Sequence, residues 1–502
     1  MYAVGIDSGT QGTKVLLVEF HSGEVHGRGY APHAMVENLP AGASEQHPKV
    51  WIHALEEALL SALREAKIDP QRIVSLGVSG QQHGFVALDK DGVPIRPAKL
   101  WNDTSTLEET DLIVGQLGGK KRFIRMLGIS LAVGYTASKI LWLKRKEPKN
   151  YKKLATVLLP HDYLNFYLTG TARMEYGDAS GTGLMDVRNR RWHKKAISAI
   201  DPLLEGKLPA LCHPQDPVGY LRADVVKGYG MKRVLVSSGG GDNMMGAIGT
   251  GNVSPGVCSV SLGTSGTIYS YLERPFIDPE GEIAAFCDST GGWLPLLCTM
   301  NVTNTTELLK SLLQISNDEL EGLAAQAPPG AGGLVFLPFL DGERVPVLPQ
   351  ASGVVFGLDR KNLGRPHLAR AFMEGTIFNL GYGFSRMRSL GLRPSEIRAT
   401  GGGAHSKLWL QIVADILGTP VVTLQEQEAG AFGAAIQSMW SFYRERGEEV
   451  SIAEIVRDKV KRDGLAAEPK RENVAIYEAL QKRFNSLCKS LEEEFKLHKR
   501  LL

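Results

Sequence analysis

An acidic residue at the end of an apolar run, followed by glycine, serine and threonine, lies near the start of the chain: residues 4–14 read VGIDSGTQGTK. Glycines strip side chains from a turn and accept left-handed conformations, so consecutive amide N–H groups can form a concave anion site. Thr10, Gln11 and Thr13 add polar side chains to it. A second copy, VSLGTSGT, spans 260–267, with Gly263, Thr264, Gly266 and Thr267 aligned on Gly9, Thr10, Gly12 and Thr13. Either loop alone reads better as a tight β-turn with no ligand. The repeat argues for two loops gripping one triphosphate from opposite sides. Asp7 in the first copy is Ser261 in the second, so one side alone carries a carboxylate. That asymmetry suits a single Mg²⁺ between Asp7 and the phosphates, because Mg²⁺ keeps several waters and takes one or two carboxylates.

A second acidic residue follows glycines at 239–247, GGGDNMMGA, where Asp242 and Asn243 end a strand-like run and open a helical one. An aspartate there is commonly a helix cap. Held by the glycine turn at the floor of a cleft, it would instead accept the proton of an incoming hydroxyl. A third glycine cluster, TGGGAHS at 400–406, is either a helix-entry turn or a place where backbone closely approaches a base and ribose. The spacing from Gly9 to Lys14 does not fit G-x-x-x-x-G-K-[ST], and no G-x-G-x-x-G joins a strand to a helix. Neither a P-loop nor a dinucleotide fold is expected.

Something must place these loops. Strand-like runs MYAVGI, KVLLVEF, RIVSLGVSG and FVALD alternate with helical patterns such as residues 50–67, which predicts an α/β domain. Helical patterns recur at 135–146 and 163–168, and RVLVSSGGGDN is a strand entering a glycine turn. The second half repeats the logic. VCSVSLGTSGTIYSYLE reads as a hairpin, 366–388 as a long helix, IRATGGGAHS as a strand into a turn, and 407–417 as a helix. A glycine-rich stretch at 246–257 divides the halves, so domains of 1–250 and 251–502 are expected, with a cleft between them and Gly249 and Gly251 as hinge residues. Residues 472–502 read as one long amphipathic helix, docked on the second domain or pairing two copies in a homodimer.

Composition bounds the function. The 502 residues are 43% apolar and 22% charged, ordinary for a globular chain with sizeable cores. A net charge of +3 without any polybasic block argues against a nucleic-acid or membrane-surface partner. No apolar run is long enough to span a bilayer and MYAVGIDSG is unlike a signal peptide, so a cytoplasmic protein is expected. The five cysteines, Cys212, Cys258, Cys287, Cys298 and Cys488, are widely spaced, which favours free thiols over disulfides or a zinc site.

GYTASKILWL at 134–143, and GVVFGL with HLARAFME within 353–374, resemble the two signatures of the FGGY carbohydrate kinases of the actin-like ATPase superfamily. The likeness runs nearly end to end, Phe372 standing where the pattern has a smaller or less aromatic residue. It implies an α/β fold of two actin-like (ribonuclease H-like) domains, mixed sheets flanked by helices, with ATP and a sugar in the cleft. SGQQHG (79–84), LWNDTST (100–106) and YGDASGTGLMDV (176–187) resemble the branch that phosphorylates D-xylulose, whereas glycerol kinases carry an arginine and a glutamate at Gln82 and His83. By this resemblance Asp242 is the catalytic base toward the C5 hydroxyl, and Asp7 acts through Mg²⁺ and phosphate placement with Asp242 as the other carboxylate near the ion. Gln82, His83, Asn102, Asp242 and Asn243 would bind the sugar. Thr10, Gln11, Thr13, Gly263 and Thr264 would face the phosphates, with Gly402, Gly403 and Ser406 near the adenosine. A lone histidine is more often structural, but the glycine after His83 and the resemblance favour sugar recognition, for which a neutral imidazole offers one donor and one acceptor to neighbouring hydroxyls. LPFLDGERVP at 337–346 also resembles a family segment, and Glu343 with Arg344 reads as a structural ion pair beside the cleft. Two rival readings are a kinase for another ketose or polyol and an ATP-driven conformational module. SGQQHG has no task in the latter.

Overall fold

The computed structural model describes residues 1–501. One sheet comprises β1 (Tyr2–Ser8), β2 (Gly12–Glu19), β3 (Val25–Pro32), β4 (Ile73–Gly80), β5 (Pro217–Tyr220) and β6 (Leu235–Ser237), in the order β5-β6-β4-β1-β2-β3. Gly240–Gly241 pairs with the end of β4. The other comprises β7 (Val257–Leu262), β8 (Gly266–Tyr269), β9 (Ala284–Cys287), β10 (Trp293–Thr299), β11 (Glu396–Thr400), β12 (Val421–Leu424) and β13 (Arg462–Ala467), in the order β9-β10-β8-β7-β11-β12-β13. Strand for strand, β3-β2-β1-β4-β6-β5 corresponds to β10-β8-β7-β11-β12-β13. Each set is an antiparallel hairpin with a third antiparallel strand, two parallel neighbours and an antiparallel edge. The repeated sequence loops are therefore the same corner of a repeated sheet.

The helices that position the site are α1 (Pro48–Ala66), α2 (Thr136–Lys146), α3 (Pro160–Thr169), α4 (Asp242–Gly249), α5 (Arg365–Ser389), α6 (Lys407–Leu417) and α7 (Ala429–Glu445), followed by α8 (Arg471–Ser490) and α9 (Glu492–Lys499). The patterns at 50–67, 135–146, 366–388 and 407–417 correspond to α1, α2, α5 and α6. FVALD forms only the short strand Val86–Leu88, which pairs with 156–158 outside both main sheets. The terminal pattern forms two helices that meet at Leu491, and Phe484, Leu487, Cys488 and Phe495 bury against Val335, Leu337, Phe339 and Phe378 of the second lobe.

Alternation along β1 sorts its side chains. Tyr2, Val4 and Ile6 enter the core beneath α1 with Trp51 and Leu55, while Ala3 and Gly5 face α7. Although α7 comes late in the chain, it packs on the first sheet, so close that a Cβ on Gly5 would fall 1.8 Å from the Ala431 carbonyl oxygen and one on Gly77 2.1 Å from that of Ala434. The crossing of α4 with α7 is equally tight. A Cβ on Gly249 would fall 2.0 Å from the Ala429 carbonyl oxygen, and one on Gly433 1.8 Å from that of Met245. Gly249, expected as a hinge, is glycine for packing; Gly251 adopts φ 74°.

Among the described residues the five cysteines are free, and no helix is long and apolar enough to cross a membrane.

Candidate active site

Strand β1 ends at Ser8 opposite Gly80 of β4, and Gly241 pairs with Gly80 in turn. Three turns thus converge: 9–11, 81–84 and the start of α4. Asp7 lies on the α7 side of β1, its Oδ2 2.7 Å from where a Cβ of Gly430 would sit. Glycine at the second position of α7 makes that room, and the helix N-terminus offers the anion a favourable field. Ser79 Oγ donates to Asp7 Oδ1 at 2.7 Å. Asp242 is the first residue of α4, and its Oδ1 accepts from the Asn243 amide at 2.7 Å and Asn243 Nδ2 at 2.8 Å. Burial, and after it the charge of Asp7, push Asp242 up to about 7. Burial raises Asp7 as well, against the opposing pull of Ser79 and Lys14.

The hairpin loop is fixed from behind. His33 Nδ1 lies 3.0 Å from the Gly9 carbonyl and Nε2 2.9 Å from Thr13 Oγ1. A carbonyl only accepts, so Nδ1 carries the hydrogen and Nε2 accepts from Thr13. Burial holds this imidazole near pKa 4, hence neutral. Thr13, expected at the phosphates, is buried and its hydroxyl serves this scaffold. Thr10 Oγ1 accepts from Trp101 Nε1 at 2.9 Å, and Gln11 is exposed with its carbonyl taking the His33 amide.

Gln82 and His83 form a wall beside Asp242. Asn243 Nδ2 donates to Gln82 Oε1 at 2.9 Å, joining that wall to the carboxylate. His83 sits at φ 62°, strained for a residue with a Cβ, and its carbonyl accepts from Lys139 Nζ at 2.7 Å and Thr136 Oγ1 at 3.2 Å, both on α2. Its ring packs 4.4 Å from Tyr135 and 5.5 Å from Phe286, and Gly181 leaves no space for a side chain against it. Burial, then the charges of Lys139 and Arg344, keep His83 neutral. Gln82 Nε2 and His83 Nδ1 are buried without a well-formed hydrogen bond, having only the Asp178 carboxylate and the Gly181 backbone near them, an unmet demand of the kind a polyhydroxylated ligand fills. Asn102 is not drawn into this cluster; it is exposed, between Trp101 and the buried Asp103.

In the second lobe Ser261 of β7 lies opposite Thr400 of β11, so loops 263–265 and 401–406 are neighbours. Gly263 and Thr264 carbonyls accept from Thr303 and Val302 amides, and Thr264 is exposed. Gly402 is open to solvent, Gly403 packs on Leu262 and Trp409, and Ser406 Oγ caps α6 by accepting from the Trp409 amide at 3.1 Å. Glu343 and Arg344 are not an ion pair. The buried Glu343 carboxylate accepts from the amides of Met300 and Arg344 and from Asn301 and Asn379 side chains, while the Arg344 guanidinium lies 5.4 Å from the centre of the Trp101 ring in the first lobe. Glu343 opens a turn closed by its bridge to Leu348 and spends its oxygens on those four donors, so adjacency in sequence did not bring the charges together. Trp101, Tyr135, Ser79 and Gly430 were not singled out from sequence. Trp101, Tyr135 and Ser79 lie inside LWNDTST, GYTASKILWL and SGQQHG, whereas nothing local marks Gly430.

A carboxylate poised near neutrality is suited to general-base work. Among the described residues no cluster of three or more His, Cys, Asp or Glu could hold a metal ion. The repelling pair Asp7 and Asp242 nonetheless fits a divalent cation that arrives with phosphates and takes the rest of its ligands from them and from water.

Two helix-flanked mixed sheets of the same strand order, interlocked through α4 and α7, make this an actin-like two-domain kinase fold. Residues 2–249 match the N-terminal domain and 258–442 the C-terminal domain of the FGGY family of carbohydrate kinases, and the chain belongs to that family. It is 45% identical over 445 residues to the xylulose kinase of Haemophilus influenzae, covering 87% of this chain and 90% of that one. Among solved structures, a ligand-bound xylulose kinase of Lactobacillus acidophilus aligns with TM-score 0.91 at 25% identity, covering 99% of each chain. A gluconate kinase of the same organism aligns with the same TM-score, identity and coverage. The protein is thus a carbohydrate kinase.

Proposed function

We propose that the protein transfers the γ-phosphoryl group of ATP to the C5 hydroxyl of D-xylulose, giving D-xylulose 5-phosphate and ADP. The observation that carries this reading is the bonded run Gln82–Asn243–Asp242, which ties a wall of unmet polar atoms to a carboxylate with pKa near 7. The xylulose kinase relatives support D-xylulose as the acceptor. Phosphoryl transfer passes through a loose transition state, so the protein's work is positioning and charge stabilisation. Asp242 orients the hydroxyl and takes its proton late. Gln82 and a neutral His83 offer donors and an acceptor to the other hydroxyls.

In this reading residues 1–250 hold the sugar and 251–502 the nucleotide. Backbone amides of the turns at Gly9–Thr10 and Gly263–Thr264 approach the phosphates, and the open backbone at Gly402–Gly403 lies near the adenosine. Asp7 and Asp242 would hold Mg²⁺ with those phosphates, where the ion supplies charge neutralisation. A cytoplasmic setting accords with this substrate pair.

Asp242→Asn should lower turnover by about 10² to 10⁴ while nucleotide binding persists. ADP release across pentuloses, glycerol and gluconate should show the highest kcat/KM with D-xylulose. Near-normal turnover in the variant removes Asp242 as base; gluconate or glycerol outrunning D-xylulose removes the substrate assignment.

A further inference from the structure

We propose that Arg344, delivered by the second lobe, is a sugar-binding residue that completes the pocket wall formed in the first lobe by Trp101, His83 and Tyr135. The proposal builds on the sugar-kinase reading above. Four hydrogen bonds pin the Glu343 carboxylate, one of them from the Arg344 amide at 2.7 Å, so the backbone from which this side chain departs is firmly placed. The side chain then leaves its own lobe. Its guanidinium lies over the Trp101 ring, and its charge acts on His83, Tyr135, Lys139 and Cys298. Among the described residues no carboxylate lies within 4.0 Å of it.

A half-buried guanidinium normally pairs with a carboxylate, since its desolvation is otherwise uncompensated. This one lies over Trp101 without such a partner, and its charge is felt at His83, whose Nδ1 is, with Gln82 Nε2, one of the two unmet polar atoms of the wall. Its chemistry complements theirs. Guanidinium has five N–H donors and no acceptor, so it suits the carbonyl and hydroxyl oxygens of a ketose, while its charge helps keep His83 neutral and able to accept. Because Trp101 and Arg344 belong to different lobes, a sugar bound against both ties the lobes together.

The test compares Arg344→Gln and Arg344→Lys with the wild type in a coupled ADP-release assay, together with calorimetric titration of D-xylulose in the absence of nucleotide. Removing Arg344 leaves no carboxylate unpaired, so the melting temperature should stay within about 3 °C of wild type. The Gln variant should raise KM and Kd for D-xylulose about tenfold or more, with KM for ATP changed less than about twofold, since charged hydrogen bonds to substrate are lost. The Lys variant, which keeps the charge but not the planar fork, should fall between. An unchanged KM for D-xylulose, or both KM values rising together, would overturn the proposal. If the wild type ignores D-xylulose, the function reading has failed by itself, and the same KM split is read with the best acceptor from the panel.

Discussion

Asp242 carries a stability consequence separate from its chemistry. Its pKa of about 7 in the folded protein exceeds the ordinary aspartate value near 4, because burial and Asp7 disfavour its charge. A raised folded pKa gives stability that is present below the unfolded pKa and lost as pH rises through the folded one. Asn has no such loss. Ligand-free Asp242→Asn should therefore melt with wild type near pH 4, gain on it between pH 4 and 7, and hold a constant advantage of about 2 kcal/mol above pH 7, a part of the full shift because some solvent reaches the site. Calorimetric melts at pH 4, 6 and 8 check this, and equal midpoints at pH 8 would return Asp242 to an ordinary solvated carboxylate. The residue types at the site were legible in sequence because glycine turns and the acids that follow them mark backbone exposed for a ligand. Hydroxyl roles were not: Thr13 and Ser406 spend theirs on His33 and on the α6 cap, choices made by partners distant in sequence or by local geometry. The pairing of Arg344 with Glu343 fails because the Glu343 oxygens are taken by Met300, Asn301 and Asn379, partners distant in sequence that nothing local announces.

At the scale of elements, the positions of both acids depend on backbone contact between α4 and α7. Asp242 opens α4, Gly430 at the start of α7 makes room for Asp7, and Gly249 and Gly433 let the helices touch. A methyl at Gly433 would fall 1.8 Å from a carbonyl oxygen, closer than any contact that survives without backbone movement. Gly433→Ala should cost about 3 kcal/mol or more by overpacking and should lower kcat with it, because both acids ride on the displaced helices. Gly322, in the surface helix Asn317–Gln326, has nothing within 4 Å of an added methyl, so Gly322→Ala should gain about 0.5 to 1 kcal/mol and leave kcat alone. Urea melts with matched kinetics distinguish the two, and a stable, fully active Gly433→Ala would refute the tight crossing. Hairpins and helices were recoverable from periodicity because each is specified by neighbours in sequence. The destination of α7 was not, since an apolar helix carries no local sign of which sheet it will cover.

That destination sets the behaviour of the whole molecule. The first sheet is assembled from residues before 250, yet one of its faces is covered by Ala431, Phe432, Ala435 and Met439 from α7, in one core with Ala3 and Leu16. Polar bonds follow the same route: Gln437 Oε1 accepts from the Gly239 amide and from Ser237 Oγ, each at 2.9 Å, and Ser438 meets Ser75 at 2.9 Å. Severed at residue 250, the first lobe would expose that apolar face and leave the buried Gly239 amide without its acceptor, at a cost of about 1 to 3 kcal/mol for the amide alone. Residues 1–250 expressed by themselves should therefore aggregate or bind hydrophobic dyes without a cooperative melt, whereas co-expression with residues 251–502 should yield a soluble complex with kinase activity. The halves look separable in sequence because the glycine stretch falls between two complete copies of the hairpin, while the helix that locks them returns from beyond residue 428. A soluble 1–250 fragment that melts cooperatively would show the first lobe stable without α7, and the interlock would then be dispensable to folding.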